Sequence, residues 1–172
     1  FLSYLRLIRP FNLIMVLFTL YMVRGFFLLS TLGYPKIHLH VSEINYALYA
    51  LSFIFIAAAG YVINDYYDVE IDKINKPGSV IIGNIVSKRS ALITYWLFNL
   101  LGIAGGFVSC YMARVPLLAI LFLFSFVGLW LYSYKLKSTF LAGNILIGIF
   151  SALVPLGGAC IELYTNALFT PA

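Results

Sequence analysis

The sequence predicts an all-α bundle of membrane-spanning helices. Of its 172 residues, 63% are hydrophobic and only 10% are charged, and the mean hydropathy is +1.00. Soluble domains carry about 25% charged residues, so this composition is that of a polytopic membrane protein in a lipid bilayer. A spanning helix needs about 20 mostly apolar residues. Five segments satisfy that requirement, at about 11–32, 44–63, 91–113, 115–132 and 141–163.

The chain is expected to form one transmembrane domain over residues 1–172. Its net charge is +5, but the basic residues stand singly or in pairs, without the dense clusters that indicate nucleic-acid binding. In a membrane protein such a charge balance reports topology and contact with lipid headgroups. We therefore expect no nucleic-acid partner.

Most of the acidic residues stand together, directly after the second apolar segment. Four of the six fall within eight positions, namely Asp65, Asp68, Glu70 and Asp72. A carboxylate near hydrocarbon is expensive to keep ionised, and such residues are functional candidates by default. Like charges also repel each other unless a cation lies between them. The run therefore indicates a cation site more readily than a solvated helix end.

The spacing of these residues predicts which of them share a face. If the second helix continues past residue 63, one amide and three carboxylates fall within an arc of about 100°, and Glu70 points the opposite way. Those four are Asn64, Asp65, Asp68 and Asp72. Hard oxygen ligands of this kind suit Mg²⁺, which prefers to be shared with substrate phosphates. The predicted site thus implies a phosphate or diphosphate ligand.

The distribution of Lys and Arg predicts the orientation. One side collects Arg6, Arg9, Lys73, Lys76, Lys88, Arg89, Lys135 and Lys137, whereas the other side collects Lys36 and Arg114. Cytoplasmic loops carry the excess of positive charge, so the acidic run and the connection at 133–140 are expected on the cytoplasmic face of the cell inner membrane. Arg24 lies inside the first apolar segment, where it either snorkels or faces the bundle.

Three segments resemble one known family. Residues 64–77 read NDYYDVEIDKINKP and resemble the first Asp-rich motif of the UbiA-type intramembrane prenyltransferases. Residues 9–12, RPFN, resemble the segment before that family's first helix. Residues 131–139, LYSYKLKST, resemble its loop between the fourth and fifth helices.

The resemblance implies Mg²⁺-dependent transfer of a prenyl chain from a prenyl diphosphate donor to an acceptor, with an apolar tunnel for the prenyl tail. By the same resemblance the catalytic residues are Asp65, Asp68 and Asp72, which with Asn64 also bind the metal. The substrate-binding residues it implies are Arg9, Asn12, Asn64, Lys73, Tyr132, Lys135 and Lys137.

Two departures from the family pattern stand out. A Lys four residues after Tyr132 would stand at position 136, but the chain has Leu136 there, between Lys135 and Lys137. The family also has roughly nine helices and a second Asp-rich motif, whereas only Glu162 follows the first motif here. We therefore expect the chain to be the N-terminal portion of a longer protein and to be inactive alone.

The sequence leaves alternatives open for both the acceptor and the class of reaction. Residues 75–83 resemble the branch that acts on glycerol-phosphate lipids, a geranylgeranylglycerol-phosphate geranylgeranyltransferase-like branch, but aromatic acceptors stay open. A transporter or channel could use the acids as a cation site, although transporters place charges at mid-membrane. A CDP-alcohol-type phosphotransferase also uses several Asp on a helix, but its usual Asp-Gly element is absent here.

Overall fold

The computed structural model describes residues 2–28 and 39–169, and within them the chain is a bundle of helices. Short 3-10 turns flank the later helices at Pro77–Ser79, Pro116–Ala119 and Leu136–Ser138. The helices are α1 (Leu2–Ile8), α2 (Pro10–Met22, continued by the π-helical turn Val23–Leu28), α3 (Glu43–Asn75), α4 (Lys88–Met112), α5 (Ile120–Tyr134) and α6 (Ala142–Phe169).

The predicted fold class is confirmed. Helices α3, α4, α5 with its leading turn, and α6 are each long and apolar enough to cross a membrane, and a shorter apolar helix covers Pro10–Phe26. The first predicted segment, 11–32, is described only as far as residue 28, and Lys36 of the orientation count lies outside the described residues.

Helix α3 is the centre of the bundle. Its N-cap is Ser42, whose hydroxyl accepts a hydrogen bond from the backbone N–H of Asn45, which satisfies one of the free donors of the first turn. Of its most apolar 18 residues, 61% are buried inside the bundle, whereas the corresponding share is 28% or less in each of the other three spans. The helix runs without a break from Glu43 to Asn75, so the second predicted span and the acidic run are one helix.

Close approach of α4 to its neighbours depends on glycine. A Cβ at Gly106 would lie 2.4 Å from the Phe122 ring, and one at Gly102 would lie 2.7 Å from the Ile56 side chain. The small residues of α4 are therefore packing positions, as small residues in membrane helices commonly are.

The end of α3 that carries the acids is covered by apolar residues of the connection to α4. Val80, Ile82 and Val86 are buried there together with Leu7 of α1. The hydroxyl groups of Tyr4 and Ser90 are also hydrogen-bonded to each other. These contacts fix the short helix α1 beside the acidic end, which matters because the chain turns from α1 into α2 at Arg9.

The opposite end of the bundle holds a buried ion pair. Arg24 is 3% exposed and its Nε lies 2.8 Å from Oε1 of Glu162, which is fully buried in α6. Its Nη1 donates to Glu43 at 2.8 Å, and its guanidinium lies 4.3 Å from the centre of the Tyr46 ring. Arg24 therefore faces the bundle. Since α3 rises about 33 Å between Glu43 and Asp65, this pair and the acidic run lie at opposite ends.

Arg24→Met tests this buried pair. Removing the cation leaves the Glu162 carboxylate buried without it, which costs about 3–5 kcal/mol of stability. The double variant Arg24→Met/Glu162→Met is expected to recover most of the loss. Glu43→Gln is the control, because that side chain is 74% exposed and an exposed partner contributes about 1 kcal/mol or less. Thermal unfolding in detergent measures all three, and equal losses in Arg24→Met and Glu43→Gln would contradict the pairing.

Candidate functional site

The acidic end of α3 presents an amide and a carboxylate one helical turn apart. Asn64 Nδ2 donates to Asp68 Oδ2 at 3.0 Å. Residues four apart on a helix lie on the same face, so this hydrogen bond shows that the helix keeps its register beyond residue 63. Glu70 lies off this face and its side chain is 71% exposed, as the helical projection predicts.

Arg9 pairs with Asp65 from the turn between α1 and α2. Its Nη2 donates to Asp65 Oδ1 at 2.8 Å, and its guanidinium lies 5.1 Å from the centre of the Tyr61 ring. The backbone of Arg9 is left-handed, with φ 52° and ψ 66°, a conformation that non-glycine residues adopt at a cost. Pro10 follows at the first helical position of α2, which favours the start of the helix.

Lys137 reaches the acidic end from the turn that follows α5. Its ammonium forms an ion pair with Asp68 Oδ1, and each of the two side chains is 21% exposed. Lys135, two residues earlier, is exposed. The structure thus brings the 133–140 connection to the acidic run, and it places Lys137 rather than Lys135 against a carboxylate.

The other residues that the sequence assigned to the site lie at its margin or away from it. Asp72 is half-buried one turn beyond Asp68, and Asn12 is exposed in the first turn of α2. Lys73 lies with Glu70, at 3.1 Å between Nζ and Oε1, and Lys88 approaches the same oxygen at 3.6 Å. Lys73 therefore belongs to the Glu70 side of α3 and is not gathered with the acids.

A cavity of about 270 Å³ opens beside Asn64 and follows α3 into the bundle. At the acidic end its wall is polar, formed by Arg9, Tyr61, Asn64, Tyr132 and Ser133. Further in, its wall is mainly apolar, formed by Val16, Phe53, Ile56, Ala57, Leu129, Phe150 and Val154. From Asn64 to Phe53 the helix descends about 17 Å, so the cavity joins the charged end to the interior of the bundle.

The chemistry of the donor set fits a magnesium ion. Asn64 and the three aspartates supply only oxygen ligands, and Mg²⁺ prefers those. In the described part of the chain, however, no group of three or more His, Cys, Asp or Glu side chains lies close enough together to hold a metal ion. Arg9 and Lys137 engage Asp65 and Asp68 instead. Metal binding by these four residues stays a prediction.

Two residues of the cavity wall were missed in the sequence. Tyr61 lies three residues before Asn64, so helical spacing alone places both on one face. Ser133 stands between Tyr132 and Tyr134 and is buried. The sequence offered no comparable signal for it, because its two tyrosine neighbours are equally explained as residues of the membrane interface.

Comparison with known proteins identifies the family of this chain. The profile of the UbiA prenyltransferase family matches residues 16–172. The chain belongs to the UbiA prenyltransferase family. The predicted family is thereby confirmed, and with its long apolar helices the UbiA chain is an integral membrane protein.

Similar proteins include several called digeranylgeranylglyceryl phosphate synthase. That of Methanobrevibacter smithii is 37% identical over 152 residues, which cover 87% of this chain and 49% of the relative. That of Hyperthermus butylicus is 33% identical over 171 residues, 95% of this chain and 50% of the relative. That of Saccharolobus solfataricus is 38% identical over 151 residues, which cover 88% of this chain and 49% of the relative. The chain thus spans about half the length of these relatives. No solved structure matches it.

The energetic cost of the left-handed backbone at Arg9 can be measured apart from the contribution of its ion pair by comparing Arg9→Gly with Arg9→Ala. Both variants lose the guanidinium and its contacts with Asp65 and Tyr61. Glycine adopts positive φ freely, whereas alanine does not, so Arg9→Gly is expected to be more stable than Arg9→Ala by about 1 kcal/mol. Thermal unfolding in detergent measures the difference, and an Arg9→Ala variant as stable as Arg9→Gly would show that the turn is unstrained.

Proposed function

We propose that this protein transfers a prenyl chain from a prenyl diphosphate to a lipid acceptor at the membrane surface. The observation that carries the proposal is the cavity, which begins among Arg9, Asn64 and Tyr132 and continues into an apolar interior. A prenyl diphosphate has the matching shape, with a charged headgroup at one end of a hydrocarbon tail. Membership of the UbiA family favours this reaction over the transporter and the CDP-alcohol-type phosphotransferase.

The headgroup would lie at the polar end of the cavity. Arg9 is paired with Asp65, and Lys137 is paired with Asp68, which is hydrogen-bonded to Asn64. Charge-assisted hydrogen bonds from such cations to phosphate oxygens are strong. Asn64, Asp65, Asp68 and Asp72 would hold Mg²⁺, which stabilises the developing charge on a diphosphate leaving group when it is bound. The carboxylates would then bind the metal, and the two basic side chains would bind the phosphates.

The reaction that this placement supports separates charge along the cavity. The allylic C–O bond of the donor breaks, its electron pair leaves with the diphosphate, and Arg9 and Lys137 donate hydrogen bonds to the departing oxygens. The allylic carbon, now cationic, lies next to the tyrosine rings at the polar end, and aromatic faces attract cations. An acceptor hydroxyl oxygen then forms the new C–O bond, and its proton passes to the departed diphosphate.

For the acceptor we propose a glyceryl phosphate lipid. The relatives' name, digeranylgeranylglyceryl phosphate synthase, describes a product with two geranylgeranyl groups on glyceryl phosphate. Residues 75–83 also resemble the glycerol-phosphate branch. The corresponding donor is geranylgeranyl diphosphate. We further propose that the acidic end of α3 lies on the cytoplasmic side, because Arg9, Lys137 and most other basic residues accompany it.

Asp65→Asn and Asp68→Asn, made in the full-length protein, test the function in proteoliposomes. Each variant is expected to lose about 10²-fold or more in turnover of labelled geranylgeranyl diphosphate, because the metal that would stabilise the leaving group loses a carboxylate ligand. Glu70→Gln is the matched control and is expected to keep its turnover, since Glu70 lies off the site's face. A glyceryl phosphate lipid and 4-hydroxybenzoate are offered in parallel as acceptors. Full turnover in both Asp variants would refute the proposal, and product formed only on the aromatic acceptor would refute the lipid assignment.

Ala57→Leu tests the cavity as the tail site. Ala57 lines the cavity, and the larger side chain would displace about two methylenes of the tail, at about 0.8 kcal/mol each. The KM for geranylgeranyl diphosphate should rise about tenfold, and that for the shorter geranyl diphosphate should change little. Ala104→Leu on the exposed side of α4 is the control. Identical KM values in the two variants would show that the tail lies elsewhere.

A further inference from the structure

Two of the three aspartates on the site's face of α3 form ion pairs with basic residues. Asp65 is paired with Arg9, and Asp68 is paired with Lys137. The two cations come from different segments, one from the turn between α1 and α2 and the other from the turn after α5. The cations that neutralise these two carboxylates of α3 thus come from segments far away in the sequence.

These ion pairs occupy the atoms that a metal would use. Both oxygens of Asp68 are engaged, Oδ1 by the Lys137 ammonium and Oδ2 by the Asn64 amide. Oδ1 of Asp65 accepts from the Arg9 guanidinium. A divalent cation on the same carboxylates would face two like charges at short range, which repel it. The basic side chains must therefore move away before the carboxylates can share a metal, which agrees with the absence of a converged acidic group among the described residues.

We propose that Arg9 and Lys137 are exchangeable counter-ions, which neutralise Asp65 and Asp68 in the free protein and transfer to the diphosphate when the metal takes the carboxylates. This inference rests on the proposed function, because it needs a metal and a diphosphate at this site. Arg and Lys side chains donate hydrogen bonds but cannot accept them, so after release their natural partners are phosphate oxygens.

The placement of the two cations favours such an exchange. Arg9 lines the polar end of the cavity, and its side chain is 44% exposed, so the guanidinium can turn from Asp65 toward a headgroup. Lys137 is paired with Asp68, whose other oxygen is hydrogen-bonded to Asn64 of the cavity wall. The consequence is coupled binding. Metal alone must compete with the internal cations, and diphosphate alone must compete with the carboxylates, whereas the two ligands together satisfy all four groups. Each ligand therefore raises the affinity for the other.

Equilibrium binding measures this coupling without any turnover. The probes are Mn²⁺ alone, followed by electron paramagnetic resonance, and inorganic pyrophosphate in the presence of Mg²⁺, followed by calorimetry, both on the protein in detergent. In Lys137→Gln we expect Mn²⁺ alone to bind about tenfold more tightly, because its competitor is gone, and pyrophosphate with Mg²⁺ to bind about tenfold more weakly. Arg9→Gln should shift both affinities in the same directions, so the test stands even if one variant fails to fold.

Arg89→Gln is the matched control, because it removes one exposed positive charge from the start of α4 without touching the acids. It is expected to leave both affinities unchanged. Mn²⁺ affinity that stays the same or falls in Lys137→Gln and Arg9→Gln would overturn the exchange. Asp68→Asn separates this failure from failure of the proposed function. If Mn²⁺ binds that variant with the same affinity as the unmodified protein, the metal site is misassigned, and both the proposed site and the exchange are refuted.

Discussion

The continuity of α3 is the constraint on which the rest of the structure depends. Its 33 residues give a helix about 50 Å long, which exceeds the roughly 30 Å of a hydrocarbon core. The final turns can therefore leave the hydrocarbon while staying in helical register with the buried part. Asn64 and Asp68 keep a common face for that reason, and the same face continues downward as the wall of the cavity. A break at residue 63 would have separated the charged end from the apolar interior.

Carboxylates placed at such a boundary need positive partners, and the fold supplies them from distant segments. The turn at Arg9 adopts a left-handed backbone, and the arginine side chain then reaches both Asp65 and Tyr61. Strain of this kind persists only where surrounding contacts fix the chain. Here Leu7 is fully buried on one side of the turn, and Leu13 is largely buried on the other. Packing of ordinary apolar residues thus holds the Arg9 cation beside Asp65.

The sequence predicted the features that depend on local pattern. Apolar length predicted the four long spans, and helical spacing predicted that Asn64 and Asp68 share a face and that Glu70 does not. Features that depend on tertiary contacts were not accessible. The choice between Lys135 and Lys137 is made by the 3-10 turn after α5, where each residue turns the side chain by about 120°. Arg24 could not be assigned, because its partner Glu162 lies on the last helix. The position of Lys73 is a different case, because Glu70 lies three residues before it on the same helix and this local ion pair could have been predicted from spacing.

The position of the cavity explains why the charged and apolar requirements of the proposed reaction can be met together. Its walls come from α2, α3, α5 and α6, and on α6 the lining residues Ile147 and Ser151 are exposed at the surface of the bundle. In the proposed reaction the diphosphate would lie at the polar end, beside Arg9 and Lys137, and the prenyl chain would follow the apolar wall into the bundle. The reacting bond would then lie where polar wall gives way to apolar wall, so that the leaving group departs toward water and the transferred chain stays in the membrane.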